Sequence, residues 1–311
     1  MSEQGIICAE KLTRSFKRTN ALRELDLCIE RGEIFGLVGP DGAGKTTTLR
    51  LMAAVMNPTT GTVTVAGHDS VKHAEQIRAH VGYMPQRFSL YGELSVQENL
   101  EFYADIFGVY GADRRQRFEQ VLNFSRMTPF VDRRAGALSG GMQKKLGLAC
   151  TLIHRPEVLL LDEPTTGVDP VSRREFWDIL TDLHLHGTTI VISTPYMDEA
   201  ERCNRIGLLF KGQLIELGTP KAIKAMVRGQ VLEVQPSSLA EAQAVLIAHA
   251  DVLEVQVYGN LLHVFVDNAE VSLPRLQSAC ETIGVSLINP RVIQPRMEEA
   301  FISLIGKRQE A

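Results

Sequence analysis

The sequence of 311 residues has no apolar run of about 18 residues, the length that a membrane-spanning helix requires. It also lacks the pattern of an N-terminal signal peptide. We therefore expect that the chain does not cross a membrane by itself, although a partner could hold it on one. Positive charge is not in excess either, since 33 Lys and Arg face 37 Asp and Glu and the net charge is −4. Composition thus gives no indication that nucleic acid is a partner.

Cysteines are few and widely separated, and none of them forms a pair with metal-ligand spacing. An odd, scattered set is typical of reduced thiols in the cytosol. We predict five free thiols, at Cys8, Cys28, Cys150, Cys203 and Cys280. A hydrophobic content of 44% with 23% charged residues is ordinary for a soluble globular protein, and the length suggests two domains.

Apolar strands alternate with helical patterns through the first two-thirds of the chain, which indicates an α/β sheet. Strands are predicted at residues 33–39, 62–67, 158–162 and 189–193, and helices at 44–56 and 114–127. The second helix lies within a largely helical stretch. We predict a first domain at residues 1–226, with a helical subdomain at about 87–155.

The pattern changes after about residue 226. Residues 227–311 follow the order β-α-β-β-α-β, which predicts a small α+β domain of ferredoxin-like topology with a closing helix at 296–306. Gly259-Asn260 is a hairpin signal, and Pro274 is expected in the first turn of the second helix. Because no catalytic set of residues occurs here, we interpret this domain as a regulatory or dimerisation module.

The segment GPDGAGKT, residues 39–46, matches the phosphate-binding P-loop G-x-x-x-x-G-K-[ST], and it lies between a predicted strand and a helix. Glycines let the backbone curl so that its N–H groups face an anion, and the helix dipole adds to the attraction. Lys45 would reach the β- and γ-phosphates, and the Thr46 hydroxyl could ligate Mg²⁺. The candidate nucleotide-binding residues here are Gly39, Pro40, Asp41, Gly42, Ala43, Gly44, Lys45, Thr46 and Thr47.

The segment VLLLDEP supplies two carboxylates at the end of a buried strand. Asp162 is placed to hold Mg²⁺, directly or through water. Glu163 would point elsewhere and polarise an attacking water. An apolar run followed by two acids is common by itself, and it points to a nucleotide site here because a P-loop accompanies it.

The segment LSGGM provides a second helix start, with Ser139 as the N-cap and bare amides at Gly140 and Gly141. Taken alone it would be a capped helix. It lies about twenty residues before LLLDEP, and GVDP follows at residues 167–170. With these motifs in this order, residues 5 to 226 resemble the nucleotide-binding subunits of ABC transporters.

The resemblance implies a P-loop ATPase fold that binds ATP and Mg²⁺, with Gln86 touching the metal or the water. Phe16 would stack on adenine, and Asp169 would lie at a dimer interface. Two cassettes, identical or different, would enclose two ATPs, each covered by the signature helix of the other. A separate membrane permease would be the second partner. The segments LTRSFKRTNAL, STPYMDEAE and MEEAF resemble those of ATPase subunits of exporters for drugs, polysaccharides and similar cargo. This resemblance implies that the protein lies on the cytoplasmic face of the membrane and has no nucleic acid partner.

Two positions depart from the family pattern. Pro195 stands where a histidine usually contacts the γ-phosphate, and proline can neither donate, accept nor titrate there. Asp41 stands where asparagine is usual, and its carboxylate is unfavourable near phosphates unless it points to solvent. We expect ATP binding with slow turnover. The chain could be the weaker cassette of a heterodimer, a homodimer in which Glu163 alone supports modest hydrolysis, or a protein whose histidine was replaced artificially.

Three classes of function compete. The first is the ATP-driven subunit of an exporter. The second is a soluble ABC-type ATPase that acts on nucleic acid or ribosomes, which would predict basic insertions or a second cassette. The third is a regulatory ATP sensor whose C-terminal module binds a ligand, with which slow turnover agrees.

Overall fold

The computed structural model describes residues 5–17, 19–87 and 90–310. The chain divides into two compact units between Thr219 and Pro220. The boundary predicted at residue 226 lies beyond a short helix, α8 (Pro220–Lys224), that packs against the last helix of the chain and so belongs with the second unit.

Strands and helices alternate through the described part of the first unit. The strands are β1 (Ile7–Phe16), β2 (Thr19–Ile29), β3 (Ile34–Val38), β4 (Thr60–Val65), β5 (His68–Asp69), β6 (Val81–Met84), β7 (Val158–Asp162), β8 (Thr189–Thr194), β9 (Arg205–Phe210) and β10 (Gln213–Gly218). The helices are α1 (Lys45–Met52), α2 (Ala74–His80), α3 (Val96–Ile106), α4 (Gly111–Ser125), α5 (Gly140–Leu152), α6 (Pro170–Leu185) and α7 (Met197–Ala200).

A six-stranded sheet with the order β10-β9-β3-β8-β7-β6 positions the candidate site. Its strands are parallel except for β10, and β3 and β7 are buried along their whole length. Buried parallel strands read as continuous apolar runs because helices cover both faces of such a sheet. The segments that follow β3, β6, β7 and β8 therefore meet at one edge of the sheet, where open α/β folds bind ligands.

Helices α3, α4 and α5 form a helical subdomain around their own apolar cluster, which includes Leu100, Val121, Leu146 and Cys150. These helices lie inside the stretch predicted as helical at about residues 87–155. Helix α3 begins with a capping box, in which Ser95 and Glu98 bond each other's backbone N–H groups. Helix α5 carries the predicted signature segment at its first turn.

The prediction of five free thiols is wrong for one pair. Strands β1 and β2 form an antiparallel pair in a four-stranded sheet, β2-β1-β4-β5, and its register places Cys8 directly opposite Cys28. Their Cα atoms are 4.3 Å apart and the two cysteines form a disulfide. Twenty residues separate them along the chain, so only the strand pairing brings them together. Cys150, Cys203 and Cys280 are free and buried.

The second unit has the predicted β-α-β-β-α-β order. Its strands are β11 (Gln230–Pro236), β12 (Val252–Tyr258), β13 (Leu261–Val266) and β14 (Leu287–Ile293), and its helices after α8 are α9 (Leu239–Ile247), α10 (Ala269–Glu281) and α11 (Met297–Glu310). The sheet order β12-β13-β11-β14, antiparallel throughout, is that of the ferredoxin-like fold. Pro274 is inside α10 and not in its first turn, because Asn268 caps the helix and α10 already begins at Ala269.

A buried ionic cluster lies on the face of this sheet opposite the apolar core. His263 is fully buried, with Glu299 of α11 at Nδ1 and Glu233 of β11 at Nε2, the latter at 3.1 Å. Arg291 Nε donates to Glu233 at 2.7 Å, and this bond lowers the pKa of that carboxyl although burial opposes it. Both ring nitrogens of His263 are therefore within hydrogen-bond distance of a carboxylate oxygen. This cluster holds α11 on the sheet.

Replacing Glu299 by alanine should therefore lower the free energy of unfolding of the second unit by about 1–3 kcal/mol, because a buried ring nitrogen of His263 loses its hydrogen-bond partner. The measurement is urea unfolding of the full chain followed by circular dichroism. Glu298→Ala is the matched control, since Glu298 is adjacent and exposed, and it should change stability by less than about 0.5 kcal/mol. Equal effects of the two substitutions would contradict the role given to the cluster.

Candidate active site

A cleft of about 760 Å³ opens at the carboxyl edge of the parallel sheet. Many of the predicted nucleotide-site residues line it, together with five residues that the sequence did not single out. The predicted residues in the lining are Phe16, Asp41, Gly42, Ala43, Gly44, Lys45, Thr46, Thr47, Gln86 and Glu163, and the additional ones are Thr19, Asn20, Ala21, Arg23 and Lys211. The structure thus brings together the adenine, phosphate and water-activating candidates.

The P-loop runs from the end of β3 to the first residue of α1, as the motif predicts. Gly44 precedes the helix with φ at +108°, and a Cβ there would lie 2.6 Å from the Ala21 carbonyl oxygen. Only glycine tolerates both the conformation and this approach. The loop amides and the start of α1 therefore face the cleft, an arrangement that attracts anions. Asp41 is exposed at the rim of the loop, so its carboxylate can remain in water.

Lys45 is 4% exposed, and its ammonium is held by three oxygen acceptors. Its Nζ donates to the carbonyl oxygens of Gly39 and Pro40 at 2.8 and 3.0 Å. It also forms an ion pair with Glu163 Oε1 at 3.0 Å. A buried ammonium requires such compensation, because desolvation alone would disfavour its charge. The lysine predicted to bind phosphate and the glutamate predicted to act on water are thus in direct contact.

Asp162 ends β7 and is 1% exposed. Its Oδ1 accepts hydrogen bonds from Thr46 Oγ1 at 3.1 Å and from Ser193 Oγ at 2.7 Å. Its Oδ2 is buried, and no other residue in the described part of the chain donates to it. A buried carboxylate oxygen without a donor beside a threonine hydroxyl is a donor set that suits Mg²⁺.

Glu163 follows with φ at +46°, a left-handed backbone conformation that turns its side chain away from that of Asp162. Gln86 Nε2 donates to Glu163 Oε2 at 2.9 Å. Lys144 Nζ of α5 donates in turn to the Gln86 carbonyl oxygen at 2.9 Å. Partial burial lowers the pKa of Lys144, and the carboxylates of Asp162 and Glu163 oppose that shift. In this structure the Gln86 side chain is therefore hydrogen-bonded to the Glu163 carboxylate.

Phe16 ends β1 and is 40% exposed, so a ring face is open for stacking. The Arg14 guanidinium lies over the ring, with its Cζ 4.5 Å from the ring centroid. Arg14 Nη1 also donates to the Asn57 carbonyl oxygen at 2.9 Å. Cation–π contact and hydrogen bond together support the orientation of the aromatic side chain.

The signature residues and Asp169 lie outside this cleft. Ser139 accepts a hydrogen bond from the Met142 N–H at 3.4 Å as the N-cap of α5, and Ser139 and Gly140 are exposed. Gly141 is buried, and a Cβ there would lie 2.5 Å from Ser172 of α6. Asp169 caps α6, and the bond from the Ser172 N–H lowers the pKa of its carboxyl. The starts of α5 and α6 thus form one surface, of which the Ser139–Gly140 part is open.

Pro195 follows β8 and is half-buried. The preceding Thr194 is fixed by a 2.7 Å hydrogen bond from its hydroxyl to Glu199 Oε2, and its carbonyl oxygen accepts from the Gly39 N–H at 3.3 Å. The backbone of the switch position is therefore tied to the P-loop. The side chain of Pro195 supplies no polar group to the carboxyl edge of the sheet.

Ser193 and Lys144 also make contacts at the site that the sequence does not predict. Ser193 bonds Asp162, and both its Oγ and its carbonyl oxygen accept from the Glu163 N–H, at 3.0 and 3.1 Å. A signal for Ser193 was present, since it is a polar residue at the carboxyl end of an apolar parallel strand. Lys144 gave no comparable signal, because its partner is 58 residues away.

Fold and cleft together are those of a P-loop nucleotide-binding protein. Comparisons with known proteins narrow this class. Residues 22–166 match the ABC transporter family. The chain is 34% identical over 304 residues to the Nod factor export ATP-binding protein I of Ralstonia nicotianae (strain ATCC BAA-1114 / GMI1000), covering 97% of this chain and 94% of that protein. The chain therefore belongs to the ATP-binding proteins of ABC transporters.

A second relative is longer. The chain is 42% identical over 290 residues to the probable multidrug ABC transporter ATP-binding protein YbhF of Escherichia coli (strain K12), covering 92% of this chain and 49% of that protein. It thus spans about half the length of YbhF. Among solved structures, the dimeric post-hydrolysis state of the ATP-binding cassette MJ0796 bound to ADP and Pi aligns with a TM-score of 0.63 and 26% identity, covering 68% of this chain and 98% of that one.

Within residues 5–17, 19–87 and 90–310, every helix is too short or too polar to cross a bilayer.

Lys45→Ala should abolish binding of a fluorescent ATP analogue to the full chain, because it removes the buried cation that phosphate oxygens would contact. Fluorescence titration measures the affinity, and circular dichroism checks the fold. Lys72→Ala is the control, since Lys72 is exposed and away from the cleft. Unchanged affinity in the Lys45 variant would remove the P-loop from the binding site.

Proposed function

We propose that this chain is the ATP-driven subunit of an exporter and works with a separate membrane permease. The observation that carries the proposal is the meeting of Lys45, Asp162 and Glu163 at one sheet edge, while the start of α5 opens elsewhere on the surface. The residues at this edge are suited to hold phosphate and polarise water, but the signature segment of the same chain lies outside the cleft. This arrangement is suited to pairing with a second cassette. The relatives' names, which speak of multidrug transport and Nod factor export, support the exporter class.

In this proposal the triphosphate lies along the P-loop, where amides and Lys45 bind its oxygens. Phe16 stacks on the adenine ring, with Arg14 behind it. Glu163 accepts hydrogen bonds from the attacking water and polarises it, and the amide of Gln86 orients the carboxylate. Thr46 and Asp162 would hold Mg²⁺, which, when bound, would neutralise charge on the phosphates. Gln86 would contact the metal or the water once the amide leaves Glu163.

A second cassette would complete the site through the surface formed by Ser139, Gly140 and Asp169. The N-cap and the exposed amides of α5 are suited to a γ-phosphate held by another chain. Gly140 is central to this idea because a Cβ at that position would meet no atom within 4 Å, so the space above it is open to a partner. The similar MJ0796 cassette was solved as a dimer bound to ADP and Pi, which supports the pairing of two cassettes.

Gly140→Glu should therefore prevent ATP-dependent dimerisation and leave ATP binding to the monomer unchanged. A carboxylate at the start of α5 would repel the partner's γ-phosphate, yet it has space in the folded chain. Analytical ultracentrifugation of the full chain with and without Mg-ATP measures the dimer. Gly306→Glu is the matched control, since the space around Gly306 is equally open. Normal dimers of the Gly140 variant would contradict a role of this surface in closure.

Pro195 makes turnover at the chain's own site slow in this proposal. The ground-state contacts come from the P-loop, Thr46 and Asp162, none of which involves residue 195. The transition state loses one donor to the γ-phosphate. Loss of a single such donor typically costs about 10²–10³ in rate. The signature segment is complete, so the subunit could still close a partner's active site.

Pro195→His should raise the single-turnover rate of ATP hydrolysis by about tenfold or more, with little change in nucleotide affinity, because it restores a donor used in the transition state. Rapid-quench measurement at excess enzyme gives the rate, and equilibrium titration gives the affinity. Pro195→Gln is a useful comparison, because it restores a donor without a titratable ring. A rate that stays at the wild-type value would place the defect elsewhere, with Asp41 the next residue to exchange.

We propose further that the chain is a peripheral protein of the cytoplasmic face, where it contacts the permease through the helical subdomain near Gln86. Its ferredoxin-like unit, residues 227–311 in the sequence prediction, would serve regulation or dimerisation. Cargo of the drug or polysaccharide class follows from the exporter resemblance. Nucleic acid is not part of the proposal, since the net charge is −4.

A further inference from the structure

A continuous chain of polar contacts links helix α5 to the P-loop lysine. Lys144 Nζ donates to the Gln86 carbonyl oxygen at 2.9 Å, and Gln86 Nε2 donates to Glu163 Oε2 at 2.9 Å. Glu163 Oε1 then pairs with Lys45 Nζ at 3.0 Å. The contacts connect the helical subdomain, the segment after β6 and the P-loop. Each step is within hydrogen-bond distance.

Of the residues in this series of contacts, Gln86 is the one whose position depends most on a supporting contact. It follows β6 by two residues and is exposed, so the surrounding packing does little to define its backbone. The contact from Lys144 is made to that backbone and is charge-assisted, which makes it stronger than a neutral hydrogen bond. Lys144 is itself half-buried, so its long side chain is confined and not free to sweep through solvent. The carbonyl contact therefore fixes the point from which the Gln86 amide projects.

The orientation of the Glu163 carboxylate depends on such supporting contacts in this protein. Pro195 provides no side-chain donor at the end of β8. Besides Lys45, the donors to the Glu163 carboxylate among the described residues are Gln86 at 2.9 Å and the Thr166 hydroxyl at 3.4 Å. The shorter contact is the one that Lys144 supports. An error of about 1 Å in the placement of a reacting group can cost on the order of a hundredfold in rate.

We propose that Lys144 is a positioning residue for ATP hydrolysis: it holds the Gln86 backbone so that the Gln86 amide aligns the Glu163 carboxylate with the attacking water. This inference rests on the roles proposed above for Gln86 and Glu163. Helix α5 also begins with Ser139 and Gly140. A partner that docks on the start of α5 therefore acts on the same helix that holds Gln86, which couples closure to alignment within one subunit.

A double-mutant cycle on the full-length protein tests the proposal. Single-turnover hydrolysis of radiolabelled ATP is measured for the wild type, Lys144→Met, Lys144→Arg, Gln86→Ala and the Lys144→Met/Gln86→Ala double variant. Lys144→Met should lower the rate about tenfold, because the carboxylate loses its alignment. The dissociation constant of a fluorescent ATP analogue should not change. Lys144→Arg should retain most of the rate, since it still donates to the carbonyl oxygen.

The cycle separates positioning from a general structural effect. Once Gln86 is alanine there is no amide to align, so Lys144→Met should change the rate by less than about twofold in that background. Lys72→Met, at an exposed lysine, controls for the loss of one charge. Thermal denaturation checks each fold, and Lys144→Gln replaces the methionine variant if that one is unstable.

The outcomes are distinct. Equal losses from Lys144→Met in both backgrounds, or no loss in the wild-type background, would overturn the proposal for Lys144. A wild-type rate in Gln86→Ala would instead overturn the proposed role of Gln86, which belongs to the function proposed above. A loss confined to ATP affinity would place Lys144 in binding and contradict positioning.

Discussion

The burial of the Lys45 ammonium is the constraint on which the site depends. A cation that is 4% exposed must be compensated where it stands, and the chain does this with two P-loop carbonyl oxygens and the Glu163 carboxylate. These partners come from the ends of β3 and β7. The pairing therefore requires that both strands deliver their carboxyl ends to the same edge, with β8 between them. In the proposed function, a phosphate that enters the loop would share the cation with Glu163, and phosphate binding and water activation would be linked through one ammonium group.

Strand β8 connects the two halves of this arrangement. It pairs in parallel with β3 on one side and with β7 on the other, and its last residues contact both. Ser193 bonds the Asp162 side chain and the Glu163 backbone, while Thr194 accepts from the first N–H of the P-loop. The backbone at the switch position is thus well supported although the side chain of Pro195 is inert. A substitution at residue 195 therefore changes the polar groups at the carboxyl edge of the sheet and leaves the contacts of Ser193 and Thr194 intact.

The parts of the fold that can be predicted from sequence are those in which the local residue pattern matches the environment of the segment in the folded protein. Strand β7 runs over residues 158–162 as expected, because an apolar run ending in acids is both a buried strand and a site. The helix predicted at 44–56 ends earlier, at Met52, since Ala54 adopts a left-handed conformation that only the folded context explains. Pairing across distance is harder to predict. The β1–β2 hairpin has register shifts that break the alternation of its side chains, so the facing of Cys8 and Cys28 has no local signature.

The same limit applies to the candidate site. Motif spacing locates the residues of the P-loop, Asp162 and Glu163, because phosphate chemistry demands those groups in that order along the chain. It does not say what orients them. Gln86 and Lys144 are 58 residues apart and meet only through tertiary packing, which no short motif predicts. The residues to which chemistry is assigned can therefore be predicted from motifs, whereas the residues that contact and support them, such as Ser193 and Lys144, are found only from the fold.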